Sequence, residues 1–211
     1  MTPIEPQPQS PSIFEVTGIG HCQVAPPCQL PDRSPYRLYR FLSDVDDVLE
    51  TIPDDLGRVR AIAPLVHHLL TESDWLTLEH LPPDPKKGWS VLMLYKEPDY
   101  PLTIQTVVWE PGRRSPIHNH ATWGIVAIID GDEKNILWQR TDGKKQAGKA
   151  QISRVEEKVL EPGDIICFTS DAIHCVEAVS QEPTITFNVY GVTDFPKRLR
   201  FDPGTATAKN F

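Results

Sequence analysis

The chain has 211 residues and a formal charge of −8, with 39% apolar and 24% charged residues. That length suits one domain with a core that needs no disulfide or metal staple, and the composition is that of a globular chain. The acidic balance argues against a nucleic-acid partner, and 21 prolines, about twice the usual ~5% share, argue against a mostly helical protein.

The opening MTPIEPQPQS has no basic or apolar region of a signal peptide. No apolar run approaches the ~18 residues of a membrane span. Cys22, Cys28, Cys167 and Cys175 form no Cys-x-x-Cys pair, so a reduced, cytoplasmic protein is the expectation. A Cys22–Cys28 pair or metal site is the alternative. Residues 1–34 are expected to form a proline-rich extension, disordered or draped on the surface, with no central strand. Residues 35–211 are expected to form one domain, helical over 35–82 and a barrel over 89–201.

Ser34-Pro35 is a helix-start signal. Leu38, Phe41, Leu42, Val45 and Val48 follow the spacing of a buried helical stripe. A second helix is predicted from about Leu56, with Ile62, Leu65, Val66, Leu69 and Leu70 inward and Pro64 as a kink or the true start. His67 and His68 are adjacent, so they point about 100° apart and suit one metal poorly. Beyond residue 89 the pattern changes to short β-branched and aromatic runs. Strands are predicted at 89–95, 102–109, 123–129, 133–140, 150–159, 164–168, 174–179 and 184–190. Eight short strands with frequent turns indicate an antiparallel sandwich or barrel, and TDGKKQAG at 141–148 is an exposed hairpin loop.

Two segments carry chemistry. In the first, His118 and His120 are two residues apart, so on a strand both rings face one side and Asn119 the other. In the second, Pro162-Gly163-Asp164 enters a strand and His174 follows ten residues after Asp164, with Cys175 facing away. Neutral imidazoles suit Fe, Zn, Cu and Ni.

Gly112-x5-His118-x-His120 and Pro162-Gly163-x10-His174 resemble the two motifs of the cupin superfamily. The resemblance covers residues ~90–190. It implies a double-stranded β-helix, an antiparallel jelly-roll barrel in which the three histidines meet, here with the N-terminal helices packed outside. In that superfamily a glutamate often follows the His-x-His pair by three or four residues; no carboxylate lies between His120 and Asp130, so the resemblance implies a site of three neutral histidines without an anion. A divalent ion there would keep its full +2 charge and favour an anionic ligand such as a thiolate. WEPGRRSPIHNHATWGIVAIIDGDE together with PTITFNVYG at 183–191 is similar to the cysteine dioxygenase family, most of all to the bacterial thiol dioxygenases. That similarity implies Fe(2+) on His118, His120 and His174. It implies a small thiol acid, of the cysteine or 3-mercaptopropionate type, and O2 as substrates, and a sulfinate as product. It places Tyr190 over the site, with Thr186 and Asn188 where the family has serine and histidine. Gly124 stands where animal relatives carry a cross-linked cysteine. The family holds the substrate carboxylate with an arginine or glutamine on an early strand. The stretch SVLMLYK at 90–96 has neither, which leaves Tyr95 and Lys96 there and Arg198 in the C-terminal segment as substrate-binding candidates; Arg113 and Arg114 lie near the rim by sequence. Two alternatives stand beside this reading: a cupin oxygenase acting on a non-thiol such as a diketone, and a non-catalytic metal-dependent cupin that binds a small molecule. The sequence leaves the oligomeric state open.

Overall fold

The computed structural model describes residues 12–26, 36–71, 80–143 and 146–211. Thirteen strands among them build two sheets. In chain order they are β1 (Ile13–Val16), β2 (Cys22–Val24), β3 (Trp89–Lys96), β4 (Thr103–Trp109), β5 (Ile117–Asn119), β6 (Gly124–Asp130), β7 (Glu133–Arg140), β8 (Ile152–Leu160), β9 (Ile165–Phe168), β10 (Ile173–Ala178), β11 (Thr184–Tyr190), β12 (Leu199–Asp202) and β13 (Thr207–Asn210). A seven-stranded sheet runs β2-β1-β9-β6-β11-β4-β3, and a six-stranded sheet runs β13-β12-β5-β10-β7-β8. All pairings are antiparallel except that of β1 with β9. This is the mainly β jelly roll expected from the strand pattern, and each of the eight predicted strands is present within about two residues.

The seven-stranded sheet is covered on both faces along β6, which explains the unbroken apolar run GIVAII there. One face carries Ile104, Ile125, Phe187 and Val189. It packs on two helices, α1 (Leu38–Thr51) and α2 (Asp55–Thr71), through Phe41, Val45, Ile62 and Leu69. The other face carries Val126, Ile128 and Ile166 and meets Leu137 of the second sheet. The helices thus lie outside the barrel, as the amphipathic stripes require. Pro64 lies within α2, nine residues after its start at Asp55, so it does not begin the helix. The residue before α1 is Arg37, without a side-chain cap bond; the Ser34-Pro35 start signal lies outside the described residues, and so does Cys28. Cys22 is half-buried and has no disulfide partner among the described residues.

One expectation is corrected. Residues 12–26 are not a draped extension: β1 is an interior strand, parallel to β9 and flanked on its other side by β2. Prolines crowd residues 3–11 and 26–35, but 12–25 contain none, so the chain there is free to join the ladder. Alternation then turns Phe14 and Val16 into the barrel core. Glu15 is turned the other way, where Arg60 of α2 grips it with two hydrogen bonds, Nε to Oε1 at 2.7 Å and Nη2 to Oε2 at 2.8 Å. A bidentate guanidinium–carboxylate pair fixes angle as well as distance, so the N-terminal strand and the outer helix hold one another in place. Among the described residues, no helix is long and apolar enough to cross a membrane.

Candidate metal centre

A cavity of about 560 Å³ lies between the two sheets, and His118, His120 and His174 line it. His118 and His174 face one another across the pairing of β5 with β10, and His120 follows directly after β5. Their ligand atoms lie within 4.8 Å of one another. His120 Nε2 is 2.9 Å from His174 Nε2. Two nitrogens bound at right angles to one ion at ~2.1 Å stand about 3 Å apart, so this pair already has the spacing of adjacent ligands.

The hydrogen bonds settle which nitrogens are free. His118 Nδ1 is 2.9 Å from the Pro116 carbonyl oxygen, which can only accept. His174 Nδ1 is 2.8 Å from Asn135 Oδ1. Both rings therefore carry their proton on Nδ1 and turn an Nε2 lone pair to the cavity, the arrangement a metal needs. Burial pushes the His118 ring down to about 4, and burial, followed by the neighbouring histidines, also lowers His174. His120 is lowered by burial first, then by His118 and Arg198. Three neutral imidazoles converging on one point fit a divalent cation. Asn119 points away, as strand parity requires: its Oδ1 accepts from the Leu199 N–H at 2.7 Å, which ties β12 to this edge. Cys175 is likewise turned away from the cavity, into buried surroundings where its sulfur accepts from Arg114 Nη2.

These shifts give a pH signature. A histidine whose folded pKa lies below its unfolded value of 6.5 takes up protons on unfolding, so stability falls as pH drops through that gap. Glu133, raised by burial from 4.5 to about 7, acts in the opposite sense, but it is one carboxyl set against three imidazoles. The metal-free protein should therefore show a lower urea midpoint at pH 4.5 than at pH 7. Added divalent metal at pH 7 should raise the midpoint, with stabilisation of about 2.7 kcal/mol at a hundred times its dissociation constant.

Thr186, Asn188 and Tyr190 share the cavity face of β11 and form one chain of hydrogen bonds. Tyr190 donates to Asn188 Oδ1 at 3.0 Å, Asn188 Nδ2 donates to Thr186 Oγ1 at 2.8 Å, and Thr186 donates to the Val107 carbonyl at 3.4 Å. The Tyr190 ring stacks on His120 with centroids 4.8 Å apart. Gly124 makes room for it, since a Cβ there would come within 2.7 Å of the tyrosine ring carbons. Burial raises the phenol above its ordinary pKa, so it stays protonated at neutral pH. Arg198 lines the same cavity, with its guanidinium 4.7 Å from the centre of the Phe211 ring and its Nε buried without a hydrogen-bond partner among the described residues.

Tyr95 is a correction. A β-bulge between Met93 and Tyr95 breaks the alternation of β3. Met93 pairs with Gln105 and faces the cavity, whereas Tyr95 pairs with Ile104 and packs with Tyr100 on the helix side. Lys96, exposed at the end of β3, is also outside the cavity lining. Arg113 and Arg114 do line it, but Arg113 pairs with Glu110. Two cavity residues went unnoticed in the sequence. Gln105 is turned inward on β4 by parity with Val107 and Trp109. Glu133 lies on β7, so the expectation of an anion-free site holds only next to the histidine pair: a buried carboxyl stands on the cavity wall.

Both histidine segments thus deliver their rings into one cavity enclosed by two layers of almost wholly antiparallel strands. The fold is a two-layered β jelly roll. No family model matches the chain. Among solved structures it is similar to an oxalate oxidase in complex with the substrate analogue glycolate, at 14% identity over 56% of this chain, with a TM-score of 0.41. The chain spans 58% of that oxalate oxidase. It is also similar to an RmlC-like cupin from Shewanella frigidimarina, at 16% identity over 53% of this chain and 82% of that one, TM-score 0.39. KdgF from Halomonas sp. is similar at 18% identity over 55% of this chain and 89% of its own, TM-score 0.40.

Proposed function

We propose that this protein is an iron-dependent thiol dioxygenase of the cupin type that converts a small thiol acid and O2 to the sulfinate. The observation that carries the reading is the hydrogen-bonded run Thr186–Asn188–Tyr190 holding a phenol beside three converging histidines. It is joined by the resemblance of the same segments to the cysteine dioxygenase family. Ferrous iron on His118, His120 and His174 would supply the redox chemistry by which a thiolate takes up both atoms of O2.

The protein's own residues bind and orient. Neutral imidazoles leave the cation's charge to attract the thiolate. Tyr190 donates its hydroxyl hydrogen bond to Asn188 Oδ1, so an oxygen lone pair remains for a donor in the cavity, and Asn188 restrains the phenol. Unlike the histidine of the family, Asn188 cannot titrate, so this run orients without exchanging charge. Arg198 is the proposed partner for the substrate carboxylate. Gln105, inward on β4, is proposed as a second polar partner for that carboxylate.

Oxygen uptake by the iron-loaded protein with cysteine, 3-mercaptopropionate, 2-mercaptoethanol and a β-diketone tests the reading. Uptake with a thiol, with sulfinate formed one for one, is expected. Uptake with the diketone alone, or with none of the four, would reject it. Tyr190→Phe removes one hydroxyl and no ligand, so turnover should fall while iron content stays at the wild-type level. Unchanged turnover would remove Tyr190 from the proposed machinery.

A further inference from the structure

We infer that Glu133 is a positioning residue: through Asn135 it fixes the direction in which His174 presents its ligand nitrogen. Glu133 Oε1 accepts from Asn135 Nδ2 at 2.9 Å, and Asn135 Oδ1 accepts from His174 Nδ1 at 2.8 Å. All three are buried, at 3%, 0% and 3% exposure. Glu133 and Asn135 sit two apart on β7, so both project from one face of that strand, and Asn135 lies two residues along β7 from Leu137, the residue directly across from His174 in the β7–β10 ladder.

Direction is the essential property of this run. A carboxamide offers a donor at one end and an acceptor at the other, and nothing in its shape says which end faces the histidine. An amide turned the other way would aim Nδ2–H at the ring. The ring would then have to accept on Nδ1 and carry its proton on Nε2, the nitrogen that lies 2.9 Å from His120 Nε2. Metal binding would be lost at that ligand. An ionised carboxylate at the far end prevents the turn, because it can only accept: it takes a hydrogen bond from Nδ2 and would repel Oδ1. Polar partners that hold a ligating imidazole typically change metal affinity ~10- to 100-fold when removed. The inference rests on the three histidines forming a metal site, and not on the identity of the substrate.

A cycle of isosteric exchanges tests it on the full-length chain. In Glu133→Gln the far end can donate as well as accept, so the amide loses its direction. In Asn135→Asp an acceptor is set against the Glu133 acceptor. In the double variant the carboxamide now at position 133 donates to the carboxylate now at position 135. That carboxylate accepts from His174, and the total charge is unchanged. In metal-free protein, at a pH where the carboxylate is ionised, imidazole nitrogen NMR should show His174 purely as the Nδ1–H form in the wild type and the double variant. Glu133→Gln should show a mixture. Zn(2+) affinity, measured by competition with a chelating dye, should fall ~10- to 100-fold in each single variant and return to within a few-fold of wild type in the double variant. Should one single variant fail to fold, the other read against the double variant completes the comparison. A pure Nδ1–H tautomer in Glu133→Gln, or losses that add rather than cancel in the double variant, would overturn the inference. Failure of the wild type to bind Zn(2+) while the tautomers respond as stated would sink the metal site and leave the positioning role standing.

Discussion

A chain carrying His120→Ala should bind no stoichiometric iron or zinc and should show no metal-dependent oxygen uptake. His120 is the ring whose Nε2 approaches His174 Nε2 at 2.9 Å, so its loss removes one of the two adjacent nitrogens that already have metal-ligand spacing. The effect should exceed the ~10- to 100-fold cost of losing an outer hydrogen-bond partner, because a ligand is removed rather than loosened. The fold should survive. His120 follows β5 and contributes no strand pairing, and the helix-facing core of Phe41, Ile62 and Phe187 is on the other side of the seven-stranded sheet. The signature is therefore a pair of measurements: metal content by elemental analysis, and the urea unfolding free energy of the metal-free protein. Metal content should collapse while the metal-free unfolding free energy stays within about 1–2 kcal/mol of wild type, the range for losing modest packing around one side chain. Stoichiometric metal in the variant would mean that the ion is held elsewhere.

The strands were legible in the sequence because short β-branched runs there are bounded by Gly, Pro and Asp. β7 and β11 run over 133–140 and 184–190, just as predicted. Strand parity also groups residues by face: Thr186, Asn188 and Tyr190 share one face of β11, and with His118 they line the cavity. The failures share one physical cause, which is that local pattern is blind to what a neighbouring strand does. β1 was hidden by the proline density on either side of it. A proline-free window of fourteen residues, 12–25, was the available signal. Tyr95 was misplaced because parity along β3 is correct only up to Met93, and the bulge that follows carries no glycine or proline to announce it. Glu133 is not legible as a cavity residue from its distance in sequence to the histidine pair. It reaches the cavity instead from β7, through the pairing of that strand with β10. The polar pair Glu133-x-Asn135 at the start of an otherwise apolar strand was the clue.

Arg198→Ala should raise the KM for an anionic thiol by about 10- to 150-fold, the equivalent of the ~1.5–3 kcal/mol of a hydrogen bond to a charged group. It should leave the KM for 2-mercaptoethanol nearly unchanged. The guanidinium needs a partner: its Nε is buried and unbonded among the described residues, and it borders the cavity that the three histidines share. It is also held in place. The Arg198 N–H donates to the Asp194 and Phe195 carbonyls, its carbonyl accepts from the Phe211 N–H, and the Phe211 ring lies under the guanidinium while stacking on His118 at 5.1 Å. A planar cation held in this way loses little freedom on binding a carboxylate. A contact present equally in the bound substrate and at the top of the barrier acts on KM and leaves kcat alone, so the split between the two constants matters as much as their size. Arg198→Lys should recover only part of the loss, since an ammonium cannot form the two-pronged pair. If the charged and uncharged thiols respond alike, Arg198 shapes the cavity wall through Phe211 instead of reading substrate charge, and Gln105 becomes the remaining candidate for the carboxylate.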